Sequence, residues 1–190
     1  MNGVREEKLF GKYHDLLLLL IGFVLTSLLG GYLTHAWQTR AADITRLEQQ
    51  KQSEIQSARA VFEETSRLMD KRIYRMRRIS MGYGNSVDSD ELEVRWGAYR
   101  EVLFEWNENL NRNLALVQMY FGENAREILE KDIQQRFIRF GRMIEQSRKN
   151  PQSNSYEQRL KVADDLNNYI YNFDLHLIEK IQNGNVGAFK

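Results

Sequence analysis

An uninterrupted apolar run near the start of the chain constrains the fold more than any other feature. Residues 16–33 read LLLLLIGFVLTSLLGGYL, 18 residues without a charged side chain. As an α-helix this run is about 27 Å long, close to the roughly 30 Å thickness of a bilayer's hydrocarbon core. Tyr13, Tyr32 and Trp37 flank it, and such rings favour the membrane interface. We therefore predict a transmembrane anchor at 16–37, preceded by a short tail at 1–15.

Two other interpretations of the apolar run are open. One is a buried helix of a soluble core, although such a helix seldom stays apolar on every face. The other is a cleaved signal peptide, because residues 34–36 imitate a small-x-small cleavage site. Against cleavage, the run exceeds the usual signal-peptide core of about 7–15 residues, and Glu6, Glu7 and Asp15 precede it. We expect a retained anchor.

Basic residues on the two sides of the run bear on its orientation. Arg5, Lys8 and Lys12 precede it, whereas Arg40 and Arg46 are the nearest basic residues after it. This slight excess favours a cytoplasmic N terminus. The expected location is thus a single-pass membrane protein with an extracytoplasmic, periplasmic C-terminal domain.

Small residues recur within the run at helical spacing. Gly22, Thr26 and Gly30 are four residues apart, and Ser27 and Gly31 lie beside them. Small side chains at this spacing let a second helix approach closely, so we predict that they mediate association between membrane helices. The alternative is that glycine is simply common in membrane helices.

A heptad row follows the apolar run and extends almost to Gly82. Its members are spaced at the coiled-coil period: Ile44, Leu47, Lys51, Ile55, Ala58, Phe62, Thr65, Met69, Ile73, Met76 and Ile79. We therefore predict one helix from about Asp15 to Met81. Its part at 38–60 is a helical stalk that either associates with a second copy or provides a docking surface.

Three further amphipathic helices are predicted from caps and breakers. Asp88, Asn124 and Asn154 each stand three residues before a Glu, which is the pattern of a helix N terminus. Breakers separate the helices at 82–86, Gly122, 150–153 and Gly184. The expected fold is all-α: a single N-terminal transmembrane helix that continues into an up-down four-helix bundle of coiled-coil character. The bundle covers 61–183, and a C-terminal tail follows at 184–190.

Composition and motifs give little support for catalysis. The chain of 190 residues has no Cys, which excludes a disulfide scaffold, a thiolate zinc site and a catalytic thiol. Its 27 Lys and Arg balance 26 Asp and Glu, so charge gives no argument for nucleic acid. The histidines lack metal-ligand spacing, and phosphate-binding glycine motifs are absent from the sequence. We expect no enzyme activity, no cofactor, no metal and no nucleic-acid partner.

A basic cluster near the end of the first helix is a candidate partner-binding patch. It consists of Lys71, Arg72, Arg75, Arg77 and Arg78. One interpretation is recognition of an acidic partner. The other is favourable charge near a helix C terminus, where backbone carbonyls present partial negative charge.

Trp96, Trp106, Asn109 and Asn113 form a second candidate, for ligand binding or for helix register. Both Trp residues lie on the heptad row of the second helix and are expected to pack in the core. Asn113 on that row would be a buried amide, which can fix register or partner choice. The neighbouring Asn residues offer a polar surface for a small ligand.

These features support two hypotheses about function. The first is a non-enzymatic, single-pass membrane protein that acts as an interaction scaffold or accessory subunit in contact with the lipid bilayer. It would form homo-oligomers or bind other membrane or helical proteins. The second is a membrane-anchored sensor whose bundle binds a small ligand near Trp96 and Trp106. In architecture alone, the arrangement resembles the ligand-sensing module of methyl-accepting chemotaxis receptors. A pore is disfavoured, because the apolar run has no ionisable residue.

Overall fold

The protein is all-α over the residues described by the computed structural model. These are the backbone of 3–84, 87–150 and 155–190 and the side chains of 17–83, 87–150 and 155–190. The elements are α1 (Gly3–Gly84), α2 (Ser89–Phe121), α3 (Glu123–Glu127), a π segment (Ile128–Ile133), α4 (Gln134–Lys149), α5 (Tyr156–Gln182) and a 3-10 turn (Gly187–Phe189). No strand occurs in these ranges, and the predicted fold class is confirmed.

The chain forms two compact units, Met1–Gln50 and Lys51–Lys190. The first unit consists of the N-terminal part of α1. Among the described residues, one helix is long and apolar enough to cross a membrane, and it contains the predicted anchor. Every side chain of 17–35 is exposed. An apolar surface of this extent requires cover by lipid or by another helix.

The start of α1 differs from the prediction. The helix begins at Gly3, well before the expected start near Asp15. Residues 3–15 contain no proline, and their mixture of charged and apolar side chains is compatible with a helix. The sequence pattern therefore located the apolar run correctly but not the beginning of the helix.

The heptad row of α1 is buried only in its later part. Ile44 and Leu47 are 61% and 57% exposed, whereas Ala58 is fully buried. From Ala58 onward the row supplies core side chains of the second unit. The fully or nearly buried members are Ala58, Thr65, Met69, Ile73, Met76 and Ile79.

The apolar faces of the other helices complete this core. Their buried members include Trp96, Tyr99, Trp106, Asn113 and Val117 on α2; Leu129 and Ile133 on the π segment; Phe137, Phe140 and Ile144 on α4; and Ala163, Ile170, Phe173, Leu177 and Ile181 on α5.

Side-chain contacts establish the up-down order of the bundle. Along α1 and α2, Arg67 pairs with Glu105 at 3.0 Å, whereas the later Arg78 lies 3.9 Å from the earlier Glu91. The two helices are therefore antiparallel. Further pairs join α2 to α4, the π segment to α5 and α1 to α5: Arg148–Glu93, Tyr169–Asp132 and Ser66–Asp174.

The third bundle helix is not the single α-helix that the sequence pattern suggests. It begins at Glu123 immediately after Gly122, whose φ of 95° ends α2. Asn124 was expected to be the cap, but it lies in the first turn, and Gly122 occupies the cap position without a side-chain bond. The π segment then separates α3 from α4.

The caps of the other helices agree with the prediction in position more than in detail. Asp88 is at the N terminus of α2 but makes no side-chain cap bond. The expected α5 pair, Asn154 with Glu157, is replaced by a pair one residue later, and Asn154 lies outside the described residues. Ser155 and Gln158 form a reciprocal capping box with two bonds of 3.1 Å. A Ser-x-x-Gln pair satisfies the same backbone donors as an Asn-x-x-Glu pair.

Residues 184–190, described from the sequence as a tail, are packed. Val186 is fully buried within the hydrophobic core. The Lys190 ammonium donates to the carbonyl oxygen of Gln118 at 2.9 Å and also to that of Met119. Gly184, with a φ of 67°, allows the chain to turn back after α5.

Candidate functional site

The basic cluster at 71–78 is distributed over several faces of α1. Lys71 donates to Glu105 on α2 at 2.6 Å. Arg77 pairs with Asp164 on α5 at 2.9 Å. These cations thus join α1 to two different neighbouring helices of its own bundle. Exposed pairs of this kind contribute up to about 1 kcal/mol each.

The exposed Arg78 and the half-buried Arg75 also contact residues of α1 or α2. Arg78 lies 3.9 Å from the Glu91 carboxylate, and the Arg75 guanidinium is 5.6 Å from the Tyr74 ring centre. The structure therefore does not bring the five basic residues together as one surface. Their arrangement favours a role in holding the bundle.

Arg72, the fifth member, is buried in the middle of the bundle. Its guanidinium carbon lies 4.4 Å from the Phe137 ring centre and 5.3 Å from that of Trp106, and it donates to the Gln134 side-chain oxygen at 3.2 Å. Burial lowers the pKa of Arg72, while Tyr99 opposes this change. No carboxylate pairs with Arg72 in the part of the chain that the structure describes.

Trp106 belongs to the same buried layer. It is 2% exposed, and its indole nitrogen donates to the Gln134 oxygen at 2.8 Å. Asn113 is 4% exposed, and Asn109 donates to the Glu105 carbonyl oxygen at 2.8 Å. Trp106 and Asn113 thus lie inside the bundle, where a ligand in solution has no direct access to them.

Trp96 lies against a groove of about 420 Å³ between α2 and α4. Its indole nitrogen donates to the Tyr83 hydroxyl at 2.9 Å. The Arg148 guanidinium lies 4.9 Å from the Trp96 ring centre and pairs with Glu93 at 2.9 Å. The groove is lined by Trp96, Tyr99, Arg100, Leu103, Phe104, Glu145, Arg148 and Lys149.

The charges of this groove are predominantly positive. Arg100, Arg148 and Lys149 oppose one carboxylate, that of Glu145. Arg100 and Lys149 make no ion pair with any residue that the structure describes. Phe104 at the same groove is 64% exposed. This combination of free cations and an exposed ring suits a small anion with an apolar part.

Most of this groove has no signature in the sequence. Of its lining, only Trp96 was singled out as a candidate. Arg100 is not part of a basic cluster in the sequence, and Lys149 lies on a helix that follows the π segment. Neither residue belongs to a sequence motif that would indicate a binding site. Only the packing of α2 beside α4 brings them together.

A second polar site missed by sequence lies between α1 and α5. The Ser66 hydroxyl donates to Asp174 at 2.6 Å. The other Asp174 oxygen is buried and has no partner among the described residues. Burial raises the pKa of Asp174 to about 6, and the nearby Asp70 carboxylate adds to the rise.

The small residues of the candidate membrane span leave its surface open. A Cβ atom placed on Gly22, Gly30 or Gly31 would meet no atom within 4 Å. The Thr26 hydroxyl donates to the Gly22 carbonyl oxygen at 2.7 Å and so needs no partner outside the helix. Together with the exposed Ser27, these residues leave room for the close approach of a second helix.

Comparisons with protein-family models, curated proteins and solved structures gave no match. Among the described side chains, no group of three His, Asp or Glu residues could hold a metal ion. The fold and the groove define the class: an all-α protein with a four-helix bundle and one helix suited to span a membrane.

Proposed function

We propose that the protein is a non-enzymatic, single-pass membrane scaffold or accessory subunit that self-associates through its membrane helix and stalk. The observation that carries this proposal is the complete exposure of side chains 17–35. Lipid covers such a helix well, and a second copy can cover its face of small residues. In this proposal the bundle at 61–183 lies outside the cytoplasm.

The stalk supports the same proposal. Ile44 and Leu47 continue the heptad row of the bundle, yet both are exposed. Apolar residues at heptad positions favour pairing with another helix, because pairing removes them from water. Lys51 lies on the same heptad row, and a polar residue at such a position affects which helices can pair with the stalk.

The membrane helix is tested by energy transfer between labelled full-length chains in lipid vesicles. Replacing Gly22 and Gly30 together by Ile is expected to weaken association about tenfold, because bulk on this face holds the helices apart. Leu28→Ile is the matched control, since at about 100° per residue Leu28 lies on the opposite face. Equal association of both variants and the wild type would contradict this interface.

The stalk is tested separately with Ile44→Glu, which places a charge on the heptad row. Thr45→Glu adds the same charge to the neighbouring exposed position, off the row. We expect cross-linking between stalks to fall for Ile44→Glu alone. Equal cross-linking in the two variants would show that the row does not mediate association. Protease protection in sealed vesicles determines on which side the bundle lies.

A ligand-binding sensor is the second candidate function, and the groove beside Trp96 supports it. The predicted site near Trp96 has adjacent open volume, whereas Trp106 is enclosed in the core. A sensor of this kind would bind its ligand between α2 and α4. Self-association and ligand binding use different residues, so the two functions are separable by experiment.

A further inference from the structure

We infer that the groove between α2 and α4 binds a small organic anion, a carboxylate or sulfonate that carries an apolar ring. This inference deepens the sensor candidate and is independent of self-association. Its volume of about 420 Å³ lies in the range of about 300–1,000 Å³ typical of small-molecule sites.

The positive charge of the groove determines the sign of the ligand. Arg100 and Lys149 reach the groove from opposite helices, and both are exposed without an ion-pair partner among the described residues. Several other cations of the bundle surface are paired, as Lys71 is with Glu105 and Arg77 is with Asp164. Two unpaired cations on facing walls can bind one anionic group between them.

Arg148 contributes a hydrogen-bond donor that neighbouring side chains hold in place, rather than an unpaired charge. Its guanidinium lies 4.9 Å from the Trp96 ring centre, and Glu93 accepts from it at 2.9 Å. Glu93 is not part of the groove lining. Its bond to Arg148 uses one guanidinium nitrogen and does not involve the others. A planar donor fixed in this way favours a planar carboxylate or a sulfonate.

The apolar part of the groove selects a ring. Leu103 and Phe104 belong to the lining. Phe104 is 64% exposed, whereas many other solvent-facing residues of α2 are polar. An aromatic ring packed on Phe104 gains buried area and a favourable ring–ring contact. The ligand is therefore expected to be amphipathic, with its charge toward Arg100 and Lys149.

Glu145 provides a test of the sign of the ligand's charge. Its carboxylate lines the same groove and repels an anion. Glu145→Gln should therefore tighten anion binding, whereas Arg100→Gln and Lys149→Gln should weaken it. Each single change is expected to alter the dissociation constant about threefold, the size expected for one exposed charge interaction.

The experiment uses the full-length chain in phosphatidylcholine nanodiscs, with 4-(trifluoromethyl)benzoate as the probe. Fluorine NMR line widths give its dissociation constant, and empty nanodiscs measure binding to lipid alone. The uncharged 4-(trifluoromethyl)benzamide should bind at least threefold more weakly. Phe104→Ala should weaken both compounds, since it removes ring contact without changing charge.

Arg112→Gln is the matched control variant. Arg112 is an exposed cation on α2 that lies 4.0 Å from Glu64, and it does not line the groove. We expect it to leave the dissociation constant unchanged. Far-UV circular dichroism confirms that each variant is folded, which is expected because all the replaced side chains are exposed.

Three results would overturn the site. They are absence of probe binding at millimolar concentration, equal weakening by Arg112→Gln and Arg100→Gln, or weaker binding after Glu145→Gln. None of these results bears on the scaffold proposal, which is tested by Gly22 and Gly30. Energy transfer that persists without probe binding leaves the scaffold intact and rejects the anion site.

Discussion

The half-buried carboxylate of Asp174 makes the stability of the bundle depend on pH. Burial raises the pKa of Asp174 from an ordinary 3.8 to about 6, with a further contribution from Asp70 and an opposing one from the Ser66 hydrogen bond. One pKa unit corresponds to about 1.4 kcal/mol, so the upper limit is about 3 kcal/mol. Asp174 is only partly buried. Solvent screening therefore reduces the expected effect to roughly 1–2 kcal/mol.

The sign follows from the proton count of the two states. The folded pKa is higher than the unfolded one, so between about pH 4 and pH 6 the folded protein binds more protons. The free energy of unfolding therefore decreases as pH rises through this window, and the loss is complete above about pH 7. We expect the bundle to be more stable at pH 5 than at pH 7.5 by roughly 0.5–1 kcal/mol, because the full difference is reached only below the unfolded pKa of 3.8.

Urea denaturation of the full-length protein in nanodiscs, followed by circular dichroism, measures this difference. Asp174→Asn should remove most of the pH dependence and stabilise the bundle at pH 7.5, because an amide carries no charge yet still accepts from Ser66. Asp165→Asn is the matched control, an exposed carboxylate on the same helix. Parallel pH profiles for the wild type and Asp174→Asn would refute the reasoning.

Three further changes are measured by the same denaturation. Gln134→Leu should cost about 2–3 kcal/mol, because the buried N–H groups of Trp106 and Arg72 lose their shared acceptor. Arg72→Met should be neutral or stabilising, since it removes a buried cation that no described carboxylate pairs with; a loss as large as that of Gln134→Leu would contradict this. Val186→Ala should cost about 1–2 kcal/mol through lost burial, and an unchanged midpoint would show that 184–190 does not pack.

The arrangement of cations shows what sequence reasoning cannot reach. The cluster at 71–78 is conspicuous in the sequence, yet Arg72 is buried and Lys71 is paired with Glu105. Arg100 and Lys149 are inconspicuous, yet they remain unpaired beside a groove. Whether a cation is paired depends on the residue that faces it from the neighbouring helix. The packing of two helices brings together residues that are far apart in the sequence.

The sequence pattern also did not predict two local details of the helices, the cap of α5 and the π segment. Asn154 and Ser155 both suit a helix cap, and one residue's difference in the start of α5 selects between them. The π segment at Ile128–Ile133 contains no glycine or proline, so no local sequence signal marks it.

Patterns along the chain are sufficient to predict most of the helices and their buried faces. Heptad periodicity and the uncharged run are properties of consecutive residues, so they predict the all-α class, the candidate membrane span and core positions such as Met76 and Trp106. The buried layer around Arg72, the raised pKa of Asp174 and the groove beside Trp96 arise only from the packing of the helices. Each of these depends on distances between side chains of different helices, and those distances exist only once the helices are packed.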